Sequence, residues 1–311
     1  MTKANFLFSA VYLSVFGGAI GLFAKISLEA FSPLAMIFVR LILALICFSA
    51  IFIFQKRFLS VFRLVFVNWR KFFILSLSGV GAAMVSGFIG LRYTTALNYG
   101  LIYNLSPIFM LVFAVIFLKE RMSRLDAFFI FLAFAGAGII IADGQLKAGT
   151  LGTHIFGDTL VLLSACGWAL YSILGAKFSA THSAIDSLVI NFGSFLIAAV
   201  FIVPFIFTAP GFGVNVTALN MRTLSSVAGL SILSTAMLFF LWFKFIKKRG
   251  GAWASLVNLS ENFSGVVLPI IFLGEKMTLP IFIGGILMII AIYGKQASGK
   301  HNKIALNNEA R

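Results

Sequence analysis

The sequence predicts an all-α integral membrane protein whose ten transmembrane helices form two inverted five-helix repeats. Three observations carry that prediction. Of 311 residues, 61% are hydrophobic and only 11% are charged, with a mean hydropathy of +1.07, whereas a soluble chain runs about 45–50% apolar and about 25% charged. The apolar residues, 37 Phe among them, gather in ten runs, each near the ~20 residues that cross a bilayer. Finally, one short stretch recurs in the second half of the chain. Such a composition rules out a soluble enzyme, a nucleic-acid binder and a secreted disulfide scaffold.

The first run, residues 6–28, follows Lys3. A cleavable signal peptide has an apolar region of about 7–15 residues and ends at a small-residue site. This run is longer, lacks such a site and is followed by further spans, so it is read as retained. The next runs are 33–54, which contains Arg40, and 72–91, which contains Gly79, Gly81, Gly87 and Gly90. Only Arg92, Tyr93 and Thr94 separate the latter from 95–117. Then come 125–142, 158–178, 185–207, 224–246, 251–272 and 279–294. Long continuous runs are the opposite of β-barrel strands, which alternate over about 10 residues. Cys47 and Cys166 lie inside runs and read as small buried hydrophobes.

Lysine and arginine orient such a chain, since acidic residues contribute little. With the N-terminus in the cytoplasm, the inside segments hold Lys3, then Lys56, Arg57, Arg63, Arg70 and Lys71, and then Lys119, Arg121 and Arg124. They also hold Lys177, the cluster Lys244, Lys247, Lys248 and Arg249, and Lys295, Lys300, Lys303 and Arg311, for 18 in all. The outside segments hold 5: Lys25, Arg92, Lys147, Arg222 and Lys276. With Arg40 inside a span, these account for all 24 basic residues. Both termini are therefore expected in the cytoplasm, and the net charge of +15 reports topology rather than a nucleic-acid partner.

The stretch IFLKERMS at 116–123 returns as IFLGEKMT at 271–278, with five of eight positions identical and an offset of 155. The first span ends GLFAKIS at 21–27 and the sixth ends ILGAKFS at 173–179, an offset of 152. Near-equal offsets point to a duplicated half. Five spans are an odd number, so the second copy enters the membrane upside down, with Glu120 inside and Glu275 outside. The units expected are 1–145, 146–296 and a cytoplasmic tail, 297–311. Inverted repeats are a transporter architecture, with substrate bound near the midplane between them.

Several stretches resemble the ten-helix EamA family of the drug/metabolite transporter superfamily. They are SPLAMIFVRLILA (32–44), LKE (118–120), GDTLVLLSACGWALYSILGAKFS (157–179) and LGE (273–275). The resemblance covers nearly the whole chain and implies a secondary carrier of the cell inner membrane. Such a carrier commonly exports amino acids, related metabolites or toxic compounds, while some relatives import nucleotide-like or cofactor-like metabolites. It also implies a central cavity lined by spans one, three, four, six, eight and nine. One departure is visible. The family's ninth span is often plainly apolar around a proline, whereas here it carries Asn258, Ser260, Glu261, Asn262 and Ser264.

Glu261 stands at the middle of its span, where an ionisable group costs from about 2.5 kcal/mol upward and so faces a wet cavity or a partner. It suits either proton coupling or pairing with a substrate ammonium, against the plainer role of a carboxyl bonded to a neighbouring helix. Asn258, Glu261 and Asn262 sit at i, i+3 and i+4 and share one helix face. Aligning the repeated stretch sets Ser106 opposite Glu261 and Tyr103 opposite Asn258. Span four carries an unusually polar stretch, Asn98, Tyr99, Tyr103, Asn104, Ser106 and Pro107, the proline kinking the helix; Tyr99, Tyr103, Asn104 and Ser106 are its candidate substrate-binding residues, with helix–helix adhesion through polar groups as the alternative. Arg40 either snorkels, pairs with a carboxylate such as Glu261, or recognises an anion. Trp168 and Tyr171 lie mid-span and shape a pocket or simply pack, while Trp69, Trp242 and Trp253 fit the interfacial belt. Gly17 and Gly21 form a GxxxG packing pair.

No GxxxxGK[ST] phosphate loop occurs, and His154, His182 and His301 make no catalytic or metal constellation with the two cysteines. No enzyme activity, cofactor or metal is expected. The partners expected are a small-molecule substrate, the lipid bilayer and protons. A uniporter or exchanger of the same fold and a passive channel are the other classes that the sequence leaves open.

Overall fold

With no water in the hydrocarbon layer to satisfy amides and carbonyls, every buried span must close its own hydrogen bonds. The computed structural model, which describes residues 3–118, 123–147, 153–181, 185–208, 213–242 and 251–309, is helical at each expected run. Span one is Lys3–Gly18 and Ile20–Ser27, bent by 43° between its two pieces. Span two is Pro33–Phe54. Span three joins Trp69–Ser76, a π-helical Leu77–Val85 and Ser86–Tyr93. Span four is Ala96–Tyr103 and Ser106–Leu118. Spans five to seven are Arg124–Lys147, Thr153–Thr181 and Ser187–Thr208. Span eight joins Met221–Ala228 to a π-helical Gly229–Met237 and runs on to residue 242. Spans nine and ten are Gly251–Leu273 and Leu279–Glu309.

Among the described residues, six of these are long and apolar enough to cross a membrane by themselves, and the bent first span makes a seventh. Spans five, nine and ten carry shorter apolar stretches, Ala127–Asp143, Ser260–Leu273 and Leu279–Gly294. Local chemistry sets the boundaries. Ser32 caps span two, accepting from the Ala35 amide at 3.3 Å, and Pro33 follows at the first position, where its missing N–H costs nothing. Thr95 caps span four by accepting from Asn98 at 3.0 Å. Asn220 and Thr223 form a reciprocal box at the start of span eight. Gly274, at φ +65°, ends span nine in a conformation that favours glycine.

An additional helix, Phe58–Val67, lies between spans two and three, in the segment read from sequence as a basic inside loop. Val61 and Val65 are buried, while Leu59, Phe66 and Val67 are exposed. At ten residues it is too short to cross, and its flanking arginines gave the stretch its loop character.

The two π-helical segments recur at one offset: residue 77 answers to 229 and 85 to 237, 152 apart at both ends. This is the offset between GLFAKIS and ILGAKFS. The third helix of each half thus carries the same irregularity.

Apolar helices gain little from the hydrophobic effect when lipid is the alternative, so close packing has to hold them together. Span one packs on span nine and span five on span ten. A Cβ on Gly18 would stand 2.5 Å from the Gly265 amide nitrogen, and one on Gly136 would stand 2.6 Å from the Gly284 carbonyl oxygen. Elsewhere aromatic edges interlock, as where Phe52 meets Phe192 at 5.4 Å and 84°. At one end of the bundle the loops of the two halves are tied. Phe31 bridges Val214, the Asn215 amide donates to Ala30 at 2.7 Å, and the Ser32 amide donates to Gly213 at 2.9 Å.

Candidate functional site

Span four breaks where its proline requires. Pro107 has no amide to give the Tyr103 carbonyl, and the helix stops at Tyr103 and resumes at Ser106. The broken segment faces a cavity of about 270 Å³ between spans one, four, six, nine and ten. Its walls include Tyr99, Tyr103, Asn104, Ser106, Pro107, Trp168, Glu261 and Asn262. Seven of the ten residues singled out from sequence as site candidates therefore line one chamber, with Glu261 midway along its helix.

Glu261 reaches this chamber because glycine lies opposite it. A Cβ on Gly17 would sit 2.5 Å from the Glu261 Cδ and 2.6 Å from Oε1, so the carboxyl group lies flat against the backbone of span one. Among the described residues no salt bridge involves Glu261; the ion pairs are Arg57–Asp186 at 3.1 Å and Arg222–Glu29 at 3.6 Å, both at the surface. The neighbouring Asn262 Nδ2 donates to the Tyr293 hydroxyl at 3.3 Å. The Asn258 side chain lies outside the described residues.

Tyr99 and Tyr103 stack at 5.5 Å with an 11° interplanar angle, and Phe88 backs Tyr99 at 6.4 Å. The Arg40 guanidinium sits 5.3 Å above the Phe88 ring and donates through Nε to the Thr235 hydroxyl at 2.9 Å. Arg40 is buried at 5% exposure and does not line the chamber. It packs on Phe88, which backs Tyr99, and links that ring to the π-helical turn of span eight, where Thr235 in turn donates to Leu230 at 2.7 Å. Tyr171 is also outside the chamber; its hydroxyl donates to Asn191 Oδ1 at 3.0 Å.

The two ends of the chamber differ. Toward the tied loops a polar cluster closes it. Lys25 Nζ donates to the carbonyls of Leu91, at 2.8 Å, and Thr94. The Thr94 hydroxyl donates to Asp158, which is fully buried and also accepts from Asn98 at 3.4 Å. Glu275 accepts from the Ala96 and Leu97 amides at 2.9 and 2.7 Å, placing a negative charge on the N-terminus of span four, where the helix dipole favours it. Toward the other end Trp168 is shared with a wider cavity of about 510 Å³, lined by Tyr171, Ser179, Ser187, Asn191 and Trp242 among others. Trp242, expected in an interfacial belt, is thus a wall of this vestibule. Lys177, the repeat counterpart of Lys25, is exposed and lines a separate cavity with Lys71 and Phe178.

Sequence reasoning passed over Tyr293, Asp158 and Lys25. Tyr293, near the end of an apolar run, looks like an interfacial anchor. Asp158 and Lys25 sit close to span ends, where charge is ordinary. A carboxylate and an ammonium one turn inside their spans, at the same end of the bundle, were the usable signal. Among the described residues no cluster of His, Cys, Asp and Glu could hold a metal ion.

The sequence profile of the EamA-like transporter family matches residues 5–142 and, a second time, 155–294. The chain is 27% identical over 293 residues to an uncharacterized transporter of Archaeoglobus fulgidus, covering 94% of this chain and 97% of that one. It is also 27% identical over 295 residues to the uncharacterized transporter YyaM of Bacillus subtilis, covering 94% and 93%. One solved crystal structure, 18% identical, superposes with a TM-score of 0.60 over 94% of this chain and 96% of its own. At that identity the likeness is one of fold.

Proposed function

Because the chain belongs to the EamA-like transporter family, we propose that this multi-pass membrane transporter is a secondary carrier working by alternating access, with Glu261 as its coupling or cation-binding group. The observation that carries the reading is a carboxyl group midway along an apolar span and facing a polar chamber. Tyr99, Tyr103, Asn104, Ser106 and Asn262 would orient a small amphiphilic metabolite, such as an amino acid, beside it. Asn258, three residues before Glu261 in sequence, would join them.

In this reading the tied-loop end is outside the cell and the vestibule opens to the cytoplasm, which agrees with the 18-to-5 distribution of basic residues. Both termini then lie in the cytoplasm, and the membrane is the cell inner membrane. Lys25, Asp158 and Glu275 act as the outer seal. A ligand enters past Trp168, binds at Glu261, and leaves outward once the seal opens. Export, and the amino-acid class, follow the family resemblance. Proton binding at Glu261 would supply the driving ion.

The test is counterflow in proteoliposomes with labelled amino acids, nucleosides and cationic drugs, each with and without a pH gradient. The expected result is saturable exchange of one class, driven by the gradient and abolished by Glu261→Gln in a carrier that still folds. A Glu261→Gln variant transporting normally under the gradient would overturn the assignment. Equilibration without saturation would replace the carrier with a channel.

A further inference from the structure

Spans nine and ten follow each other in the chain, yet span nine packs on spans one and four and span ten on span five. Between them is a groove of about 210 Å³ with an almost wholly apolar wall, backed by Leu101 of span four. Its lips, Phe263, Phe282 and Ile289, are 69%, 50% and 49% exposed, so it opens sideways toward lipid. At its inner end Asn104, Asn262, Ile292 and Tyr293 line the groove and the central chamber alike. Apolar groove and polar chamber therefore adjoin across these side chains, and the Asn262–Tyr293 hydrogen bond stands at their junction, where it must part for one ligand to occupy both.

The groove follows span ten from Ile281 to Tyr293, thirteen residues of helix, or about 18 Å end to end at ~1.5 Å per step. That slightly exceeds half of the ~30 Å hydrocarbon layer, the depth reached by one chain of one leaflet. We propose that this groove takes the apolar chain of a single-chain amphiphilic amine whose ammonium head lies in the chamber at Glu261, and that such a ligand enters sideways from the bilayer. The head position rests on the Glu261 reading above; the chain position does not. Moving a chain from lipid into an apolar groove gains almost nothing, since lipid tails are as apolar as leucine. The groove therefore supplies a route and a shape filter, and the head supplies the hold. Polar heads without a chain would have to use the vestibule.

The test is photolabelling of the full chain in nanodiscs with dodecylamine carrying a diazirine at the chain end, compared with the matching dodecanol probe. The expected adducts concentrate several-fold on Phe282, Ile286 and Ile289 over the lipid-facing Ile46 and Ile53 of span two. They should fall to that background in Gly285→Phe, whose new side chain starts 3.3 Å from Leu101 Cδ2, or in Ile289→Trp where the first variant does not fold. Adducts spread evenly over all lipid-facing positions would overturn the proposal. If Glu261→Gln erases the preference for amine over alcohol, both readings stand. If adducts stay on span ten and that preference survives the substitution, the groove stands and the head assignment at Glu261 falls.

Discussion

Gly17 and Gly18 are neighbours on span one and face the same helix, yet an added methyl group would meet different things. At Gly17 it meets the far end of the Glu261 side chain, which can swing away. Gly17→Ala should therefore fold normally but displace the carboxyl group, weakening substrate exchange several-fold with little change in thermal midpoint. At Gly18 it meets the Gly265 amide nitrogen at 2.5 Å and the Glu261 carbonyl oxygen at 2.6 Å, neither of which can move unless the helices part. Gly18→Ala should lower stability by about 1–3 kcal/mol, the usual cost of overpacking, read as a shift of the midpoint in detergent. Equal effects of the two changes would mean that span one does not pack as described. Glu261 was legible in sequence because a carboxyl group at mid-span is conspicuous wherever it points. The partners of Arg40 were not, since Thr235 lies 195 residues away and pattern alone does not bring distant spans together.

Helical elements were legible to the extent that their breaks have a covalent cause. Pro107 announced the interruption of span four, and Arg92, Tyr93 and Thr94 marked the turn before it. The π-helical segments of spans three and eight have no such sign, because their apolar composition fits an α-helix equally well. Each is nonetheless a point of attachment: Ser164 donates to the Ala83 carbonyl at 2.6 Å, and Arg40 holds Thr235. The N-terminus of span four depends on Glu275, which no neighbouring residue in sequence replaces. Glu275→Ala removes two charge-assisted bonds and should cost about 1–2 kcal/mol, comparable to a lost cap, while loosening the seal. In a protein carrying Cys47→Ala, Cys166→Ala and Ala96→Cys, a membrane-impermeant maleimide added outside should then react faster. An unchanged rate would take Glu275 out of the seal.

For the whole molecule, the duplication was readable because two short stretches and, in the structure, two π-helical segments keep nearly one spacing. Orientation rests on charge alone, and it is testable as such. A green fluorescent reporter fused after Arg311 should fluoresce, and alkaline phosphatase at the same place should be inactive; the reverse would invert the assignment of both ends. What the sequence left hidden is which end is shut, because each half carries a lysine near the end of its first helix and nothing local distinguishes them.

Lys25 is committed to two carbonyls while Lys177, 152 residues later, is exposed. A two-fold machine caught with one lysine engaged has a resting preference. The five bonds made by Lys25, Thr94 and Glu275 all engage a charged group, and every ~1.4 kcal/mol not returned by a matching closure at the opposite end is a tenfold bias. The unloaded carrier would then reorient slowly and the loaded one quickly. Labelled substrate should enter vesicles preloaded with unlabelled substrate faster than it enters empty ones. The ratio of those two rates reads out, in kinetic form, the inequality between two ends built from the same duplicated half.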